Sequence, residues 1–264
     1  MSDPLDGYHS GEFTTGGRTR PVHRTGQGPA VIVVSEIPGI TPLVAEFGRR
    51  VAGIGCTAVL PSLFGTPGRP PSMGYALRSL GSACISREFA ILAAGRTSPI
   101  TSWLRALAAQ AHAECGGPGV GVVGMCLTGN LALAMAVDDV VLAPVMSQPS
   151  LPFPIGAARR GDPGVSPTDL ATVRRRGDDG LCVLGLRFTG DPFVSADRFA
   201  SLRAQLGDAF VAIEIDSSPG NPYGYPDKAH SVLTEHYLHE EGSPTRAALD
   251  RVLDLFRRTL LTAS

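Results

Sequence analysis

The sequence has almost no lysine and no excess of charge of either sign. Lys228 is the single lysine among 23 Lys and Arg residues, which face 24 Asp and Glu residues, so the formal net charge is -1. This balance gives no reason to expect a nucleic acid or an anionic membrane as a partner. Every apolar run is interrupted well short of the length of a membrane span, so no transmembrane helix is predicted.

Cysteine is also scarce, and its few copies are widely spread. There are five, with no CxxC pair among them: Cys56, Cys84, Cys115, Cys126 and Cys182. An odd, scattered set argues against a disulfide framework and a structural zinc site, and it is typical of a reducing cytoplasm. The leading segment MSDPLDGYHSGEFTTGG is polar and glycine-rich, unlike a secretory signal peptide. We therefore expect a soluble, cytoplasmic protein.

Short apolar runs alternate with amphipathic stretches along most of the chain. Ala30–Ser35 (AVIVVS) is an unbroken β-branched run of the kind that forms a buried parallel strand. Further strands are predicted at Thr57–Pro61, Val120–Val123, Val140–Val145, Cys182–Phe188 and Phe210–Ile215. Helices are predicted at 41–55, 82–94, 101–114, 131–137, 196–206 and 244–261. This alternation predicts an α/β fold, with a mostly parallel sheet and helices on both faces.

Two regions fall outside the alternation. Residues 1–30 contain Thr-Gly-Gly and Gly-Gln-Gly-Pro turn signals around short extended segments, which predicts a leading hairpin. Residues 147–180 are rich in proline, glycine and arginine, and they predict a surface excursion with one short helix near 168–175. There are no internal repeats and no linker, so residues 1–264 are expected to form a single domain.

The segment Gly124-Met-Cys126-Leu-Thr-Gly129 lies where a predicted strand ends and a helix begins. A nucleophile in that position needs a sharp turn that points its side chain out of the sheet, and small neighbours let the strand and helix approach. The free N–H groups and the positive dipole end at a helix start favour a thiolate. The segment therefore predicts a nucleophilic cysteine, although a buried structural cysteine followed by a helix cap fits the same letters.

An acid and a base follow this elbow in the order that hydrolytic triads on such sheets require. Asp191 comes directly after the strand VLGLRF, in Thr-Gly-Asp-Pro, which is also a common helix start. His230 follows the last strand, in Asp-Lys-Ala-His-Ser, while His236 and His239 are later alternatives in polar sequence. Because ligands bind at the carboxyl ends of parallel strands, we expect Cys126, Asp191 and His230 to meet there.

Glu36 follows the first buried strand, in Ser-Glu-Ile-Pro-Gly, where a solvated charge would have no reason to lie. Two interpretations remain open for it. The carboxylate caps the helix that begins near Thr41, or it faces the nucleophile across the carboxyl edge of the sheet.

Four motifs, in this order, resemble the dienelactone hydrolase (carboxymethylenebutenolidase) family of α/β-hydrolases: VIVVSEIPGI, GMCLTGN, TGDPFVSA and KAHS. The resemblance extends from about Val31 to His230, which is most of the chain. It implies the α/β-hydrolase fold, with Cys126 as nucleophile, His230 as base and Asp191 as the acid that orients the histidine. Acyl transfer by these residues needs no metal and no organic cofactor.

The same resemblance assigns roles to three further positions. It implies that Glu36 hydrogen-bonds the resting thiol and helps to deprotonate it when substrate binds. The implied oxyanion donors are the backbone N–H groups of Ile37 and Leu127. This agrees with the rule of one donor after the nucleophile and one from the first strand–helix loop.

The sequence departs from the family pattern around the expected substrate. The residue two after the cysteine, usually glycine, is Thr128. The arginine that holds the substrate carboxylate, four residues after the histidine, is replaced by Thr234, and the family's other carboxylate-binding arginine matches Arg87. The reaction machinery is therefore expected to carry over, whereas the substrate is not.

The expected function is hydrolysis of a small ester or lactone, the small-molecule partner of this site, by acyl transfer through a cysteine nucleophile. Two alternatives stay open. One is a non-catalytic or regulatory protein that binds a small ligand on the same fold, and the complete set of candidate residues counts against it. The other is a redox-active thiol protein, which lacks an obvious resolving cysteine in the sequence.

Overall fold

The computed structural model describes residues 3–80 and 98–262, and its strands form one eight-stranded sheet. The strands are β1 His9–Thr15, β2 Arg18–Gly26, β3 Ala30–Val34, β4 Thr57–Pro61, β5 Val120–Met125, β6 Val141–Ser147, β7 Val183–Phe188 and β8 Phe210–Ile215. Their order in the sheet is β1-β2-β4-β3-β5-β6-β7-β8. The β1–β2 hairpin and the β2–β4 pair are antiparallel, while all the other pairings are parallel. The predicted α/β class and mostly parallel sheet are confirmed.

In the described part of the chain, helices cover both faces of this sheet. They are α1 Pro42–Gly53, α2 Met73–Leu80, α3 Pro99–Cys115, α4 Gly129–Met135, α5 Ala157–Arg160, α6 Pro167–Asp178, α7 Ala196–Leu206 and α8 Pro244–Phe256, which continues as a π-helical turn over Arg257–Leu261. One buried cluster contains side chains of α3 and α4, and a second contains side chains of α1 and α8. None of the described helices is long and apolar enough to cross a membrane.

Strand β3 shows why the central strands are continuous apolar runs. All five of its residues are buried, and neighbouring residues alternate between the two clusters, as Ile32 and Val33 do. A strand with helices on both faces has no solvated side, so its sequence shows no polar alternation. Because β3, β5, β6 and β7 are paired in parallel, their carboxyl ends lie at the same edge of the sheet.

The helix starts follow local capping chemistry. The hydroxyl oxygen of Thr41 accepts the backbone N–H of Val44 at 3.3 Å, and Pro42 follows in the first turn of α1. Thr41 is thus the cap of α1, and the capping interpretation of Glu36 is not needed. The short helix α2 was not expected from the sequence, and the helix predicted at 82–94 lies outside the described residues.

The expectation of a surface excursion with one short helix at 147–180 needs correction. This region contains two helices, α5 and the longer α6, and the side chains of Leu170 and Val173 are buried in the core cluster of α3 and α4. A serine cap and a proline at the start of α6 allow a full helix despite the polar composition. The region is therefore partly a core element rather than a surface loop.

Arg198, on α7, anchors the first half of this region to the body of the protein. Its side chain is fully buried, and the guanidinium donates to the backbone carbonyl oxygens of Pro149 at 2.6 Å and Asp162 at 2.8 Å, and also to that of Pro152. Burial lowers the pKa of Arg198 to about 10, against the opposing effect of nearby carboxylates, so the group stays charged at neutral pH. The segment after β6 is held by these bonds at the carboxyl edge of the sheet.

Candidate active site

Cys126 lies at the carboxyl end of β5 in a strained turn. Its backbone φ is +57°, a left-handed conformation that is rare for a residue with a side chain. A 3-10 turn over Cys126–Thr128 follows at once and leads into α4. The turn is tight enough that a Cβ on Gly124 would lie 2.2 Å from the carbonyl oxygen of Thr128. This geometry is that of a nucleophile elbow, in which strain holds the side chain at the sheet edge.

Thr128, where the family pattern has glycine, ties the elbow to the neighbouring strand. Its side chain is fully buried, and its hydroxyl lies 2.8 Å from the carbonyl oxygen of Val34, at the end of β3, to which it can donate. The hydroxyl oxygen of Thr128 also accepts the backbone N–H of Met125 at 2.8 Å. The departure from glycine therefore adds an anchor under the elbow rather than crowding it.

Asp191 and His230 lie together at the carboxyl ends of β7 and β8. The His230 Nδ1 is 2.7 Å from one carboxylate oxygen of Asp191, and the other oxygen accepts the backbone N–H of Phe193 at 2.9 Å. The Asp191 side chain is completely buried. Of the two alternative histidines, His236 accepts backbone N–H groups, and the His239 ring packs on that of Tyr237. His230 is therefore the histidine that this carboxylate orients.

The ring of His230 also interacts with the thiol of Cys126. Nε2 is buried and has no hydrogen-bond partner of standard geometry in the described part of the chain. Burial lowers the pKa of His230, but its interactions with Asp191 and Cys126 outweigh that effect and raise the pKa to about 11. The protonated ring is therefore the form that Asp191 and Cys126 stabilise.

A small, mostly apolar cavity of about 210 Å³ opens over the sulfur. Its lining consists of Cys126, His230 and five neighbours, namely Ile37, Leu127, Ser150, Phe153 and Phe193. The Phe193 ring stands edge-on to His230 at 5.5 Å between centroids and to Phe153 at 6.0 Å. Such a cavity has room for a small, mostly apolar group next to the sulfur.

Both proposed oxyanion residues border this cavity. Leu127 follows Cys126, and Ile37 lies in the loop between β3 and α1, so the two residues come from different elements. An oxyanion site needs donors from more than one place around the reacting atom, and these positions are compatible with that requirement. The described residues contain no group of three or more His, Cys, Asp or Glu side chains that could hold a metal ion.

Glu36 reaches the site edge, but its carboxylate does not contact the thiol as the resemblance implied. Its side chain is buried, and among the described residues the carboxylate accepts from three neutral side chains. These are Ser231 Oγ at 2.6 Å, Gln148 Nε2 at 3.1 Å and Thr234 Oγ1. Thr234 stands where the family pattern has arginine, and its hydroxyl donates to Glu36.

Two residues of the site, Gln148 and Ser150, were not identified from the sequence. Ser150 donates its N–H to the carbonyl oxygen of Cys126 at 3.0 Å, and its hydroxyl lies 3.6 Å from the cysteine sulfur. Both follow β6 directly, in the polar segment Ser-Gln-Pro-Ser. Polar residues directly after a buried strand were the signal that could have indicated them. Arg87, the other expected substrate contact, lies outside the described residues.

Comparisons with known proteins identify the family of this chain. Residues 18–260 match the family described as the dienelactone hydrolase family. A comparison with curated proteins gives no significant match. Among solved structures, a Klebsiella pneumoniae protein provisionally assigned as a dienelactone hydrolase has a TM-score of 0.63 at 21% identity, covering 95% of this chain and 99% of that chain.

Two further solved structures are similar at lower identity. A dienelactone hydrolase-like promiscuous phosphotriesterase from metagenomic libraries has a TM-score of 0.62 at 18% identity, covering 96% of this chain and 98% of that chain. An esterase from Pyrococcus furiosus has a TM-score of 0.57 at 14% identity, covering 96% of this chain and 91% of that chain. At such identities these likenesses show the fold, that of the α/β-hydrolases.

Proposed function

This chain belongs to the dienelactone hydrolase family, and we propose that it hydrolyses small carboxylic esters or lactones with Cys126 as nucleophile, His230 as base and Asp191 as orienting acid. The observation that carries the proposal is the 2.7 Å contact between His230 Nδ1 and Asp191, on a ring that also interacts with Cys126. A histidine held in this way can move a proton to and from the reacting atoms.

The reaction begins with the thiolate of Cys126 and the imidazolium of His230. The sulfur attacks the carbonyl carbon, a C–S bond forms, and the carbonyl electron pair moves to oxygen between the N–H groups of Ile37 and Leu127. As the C–O bond breaks, His230 gives its proton to the leaving oxygen, and a thioester remains on Cys126. Neutral His230 then takes a proton from water, which attacks the thioester and expels the thiolate.

The lining of the site supports a short, neutral acyl group as substrate. The cavity over the sulfur is bordered mainly by Ile37, Leu127, Phe153 and Phe193, and no basic side chain other than His230 borders it among the described residues. A thioester hydrolyses slowly unless water is well placed, so activated esters and strained lactones fit better than amides. We further propose a cytoplasmic location. It is supported by the four cysteines in the described part of the chain, which are all free: Cys56, Cys115, Cys126 and Cys182.

Hydrolysis of p-nitrophenyl acetate tests the proposal. We expect turnover by the wild type and a loss of about 10³-fold or more in kcat/KM in Cys126→Ser, because the site is arranged for a thiolate. Cys182→Ser, at a half-buried cysteine before β7, is the matched control and should keep wild-type activity. Absence of turnover in a folded wild type across a panel of esters and lactones would favour the non-catalytic ligand-binding alternative.

A further inference from the structure

His236 lies directly beneath the backbone that carries His230. Its Nδ1 is 3.3 Å from the backbone nitrogen of His230 and 3.2 Å from that of Ser231, and both N–H groups point at it. A ring nitrogen can accept these bonds only when it carries no proton. The other nitrogen, Nε2, therefore holds the ring proton when the contact is made.

The ring of His236 is held in this position by its surroundings. The backbone N–H of His236 donates to the carbonyl oxygen of Ser231 at 3.0 Å, which closes the segment 231–236 into a compact turn. The ring also stands edge-on to Phe188, the last residue of β7, with 5.9 Å between centroids. The same ring thus connects the strand before Asp191 with the loop of His230.

Burial and four charged residues determine the pKa of His236. Burial lowers the pKa of His236 below its ordinary value of 6.5, and His230 acts in the same direction. Glu235 beside it in the chain, Glu36 at the end of β3 and Asp191 after β7 oppose the shift. The balance favours the neutral ring, which is the form that can accept the two N–H groups.

We propose that His236 is a positioning residue, and that its unprotonated Nδ1 fixes the backbone of His230 and releases it when protonated. The proposal rests on the role of His230 as base in the proposed function. A proton on Nδ1 would place three N–H donors against one another, so both bonds would break and His230 would lose its fixed position between Asp191 and Cys126. We therefore expect the hydrolytic activity to decline as the pH falls and His236 becomes protonated.

The pH window follows from the direction of the shift. Since the pKa of His236 is lowered, the neutral ring persists at pH 6.5 and is lost only further into acid. As the pH falls through 6.5, His236 is protonated in the unfolded chain before it is protonated in the folded protein. Stability therefore also falls as the pH drops below 6.5.

A pair of amide variants tests the role of Nδ1. In His236→Asn the amide oxygen occupies the place of Nδ1 and cannot be protonated, whereas in His236→Gln the amide lies near the place of Nε2. We expect His236→Asn to keep kcat/KM at pH 8 within about threefold and to shift the acid limb to lower pH. We expect His236→Gln to lower kcat about 10- to 100-fold with KM little changed, because a misplaced base affects the chemical step.

Equal activities of the two variants, or an acid limb unchanged in His236→Asn, would overturn the proposal. A measurement on the wild type keeps the test independent of variant folding and of turnover. The backbone ¹H–¹⁵N resonances of His230 and Ser231 should titrate with the His236 ring, and their amide protons should exchange faster once it is protonated. Resonances that do not follow the ring titration would refute the positioning role of His236, even if the protein is an active esterase. A folded but inactive wild type would instead refute the proposed function alone.

Discussion

Two residues other than glycine have a positive φ in the described part of the chain, and both lie at the proposed active site. They are Cys126, at +57°, and Gln148, at +37°. Backbone strain of this kind persists only where surrounding bonds impose it. Thr128 anchors the turn of Cys126, and Gln148 is held through Glu36 and through the backbone N–H of Val232. Single-residue geometry therefore marks the site independently of the family comparison.

A single residue, Thr234, also determines the charge at the edge of the proposed site. Thr234 donates to Glu36, so Thr234→Arg would place a guanidinium beside that carboxylate and the site edge. A charge-assisted bond between such a guanidinium and the buried carboxylate of a bound dienelactone would contribute about 1.5–3 kcal/mol. We therefore expect wild type to prefer an uncharged lactone over a dienelactone of similar size, and Thr234→Arg to raise the relative kcat/KM for the dienelactone about tenfold.

Thr234→Ser is the control for this change, because it keeps the hydroxyl that holds Glu36 and should keep the wild-type preference. The measurement is kcat/KM for the two lactones in each protein. A wild type that already prefers the carboxylate-bearing lactone, with no gain in Thr234→Arg, would show that this view of the site is wrong.

At the scale of elements, the segment after β6 supplies two walls of the cavity, Ser150 and Phe153, and depends on Arg198 for its position. Arg198→Met keeps most of the buried stem but leaves several carbonyl oxygens without a donor. We expect this change to lower the free energy of unfolding by about 2–4 kcal/mol, since unsatisfied buried polar groups are costly. Urea unfolding followed by circular dichroism gives the value.

Arg203 on the same helix offers a matched comparison. It is partly exposed and pairs with Glu214, so Arg203→Met should cost less than about 1 kcal/mol. Similar losses in the two variants would mean that the carbonyl contacts of Arg198 do not anchor the segment.

The elements also show how far local pattern determines structure. The predicted bounds of β4 Thr57–Pro61 and β8 Phe210–Ile215 agree with the structure, because a short apolar run between turn residues has few alternatives. Helix α6 was underestimated because its composition is polar on most faces, and its apolar stripe is reduced to Leu170 and Val173. Its length depends on packing against the core, which periodicity alone does not indicate.

At the scale of the whole molecule, the His230–Asp191 pair links stability to pH. The pKa of His230 is raised to about 11, so folding favours its protonated form. Its contribution to stability is then fully present below the unfolded value of 6.5 and is lost as the pH rises through about 11. We expect Asp191→Asn to be less stable than wild type by about 1.5–3 kcal/mol at pH 6, with the difference shrinking towards pH 11.

Urea unfolding of both proteins at several pH values between 6 and 11 measures this difference. Asp227→Asn, at an exposed carboxylate three residues before His230, is the control and should show no such trend. A difference that grows with rising pH would contradict the assigned sign of the shift.

The sequence by itself determined the α/β class and the residues that come to the carboxyl edge of the sheet. Unbroken apolar runs can be satisfied only by strands buried on both faces, and residues directly after parallel strands must meet at one edge. The order of Cys126, Asp191 and His230 along the chain therefore predicted a common site, and the structure brings the three together. No packing detail was needed for that inference.

Only the tertiary structure decided how the surrounding side chains are paired. Glu36 binds Ser231, about two hundred positions later in the chain, and Arg198 binds carbonyl groups from a segment that no local pattern connects to it. The role of His236 likewise depends on a ring nitrogen that meets two backbone N–H groups in a turn. Such hydrogen bonds require donor and acceptor to be placed to within a few tenths of an ångström. That placement results from the packing of the whole chain and leaves no periodic pattern in the sequence.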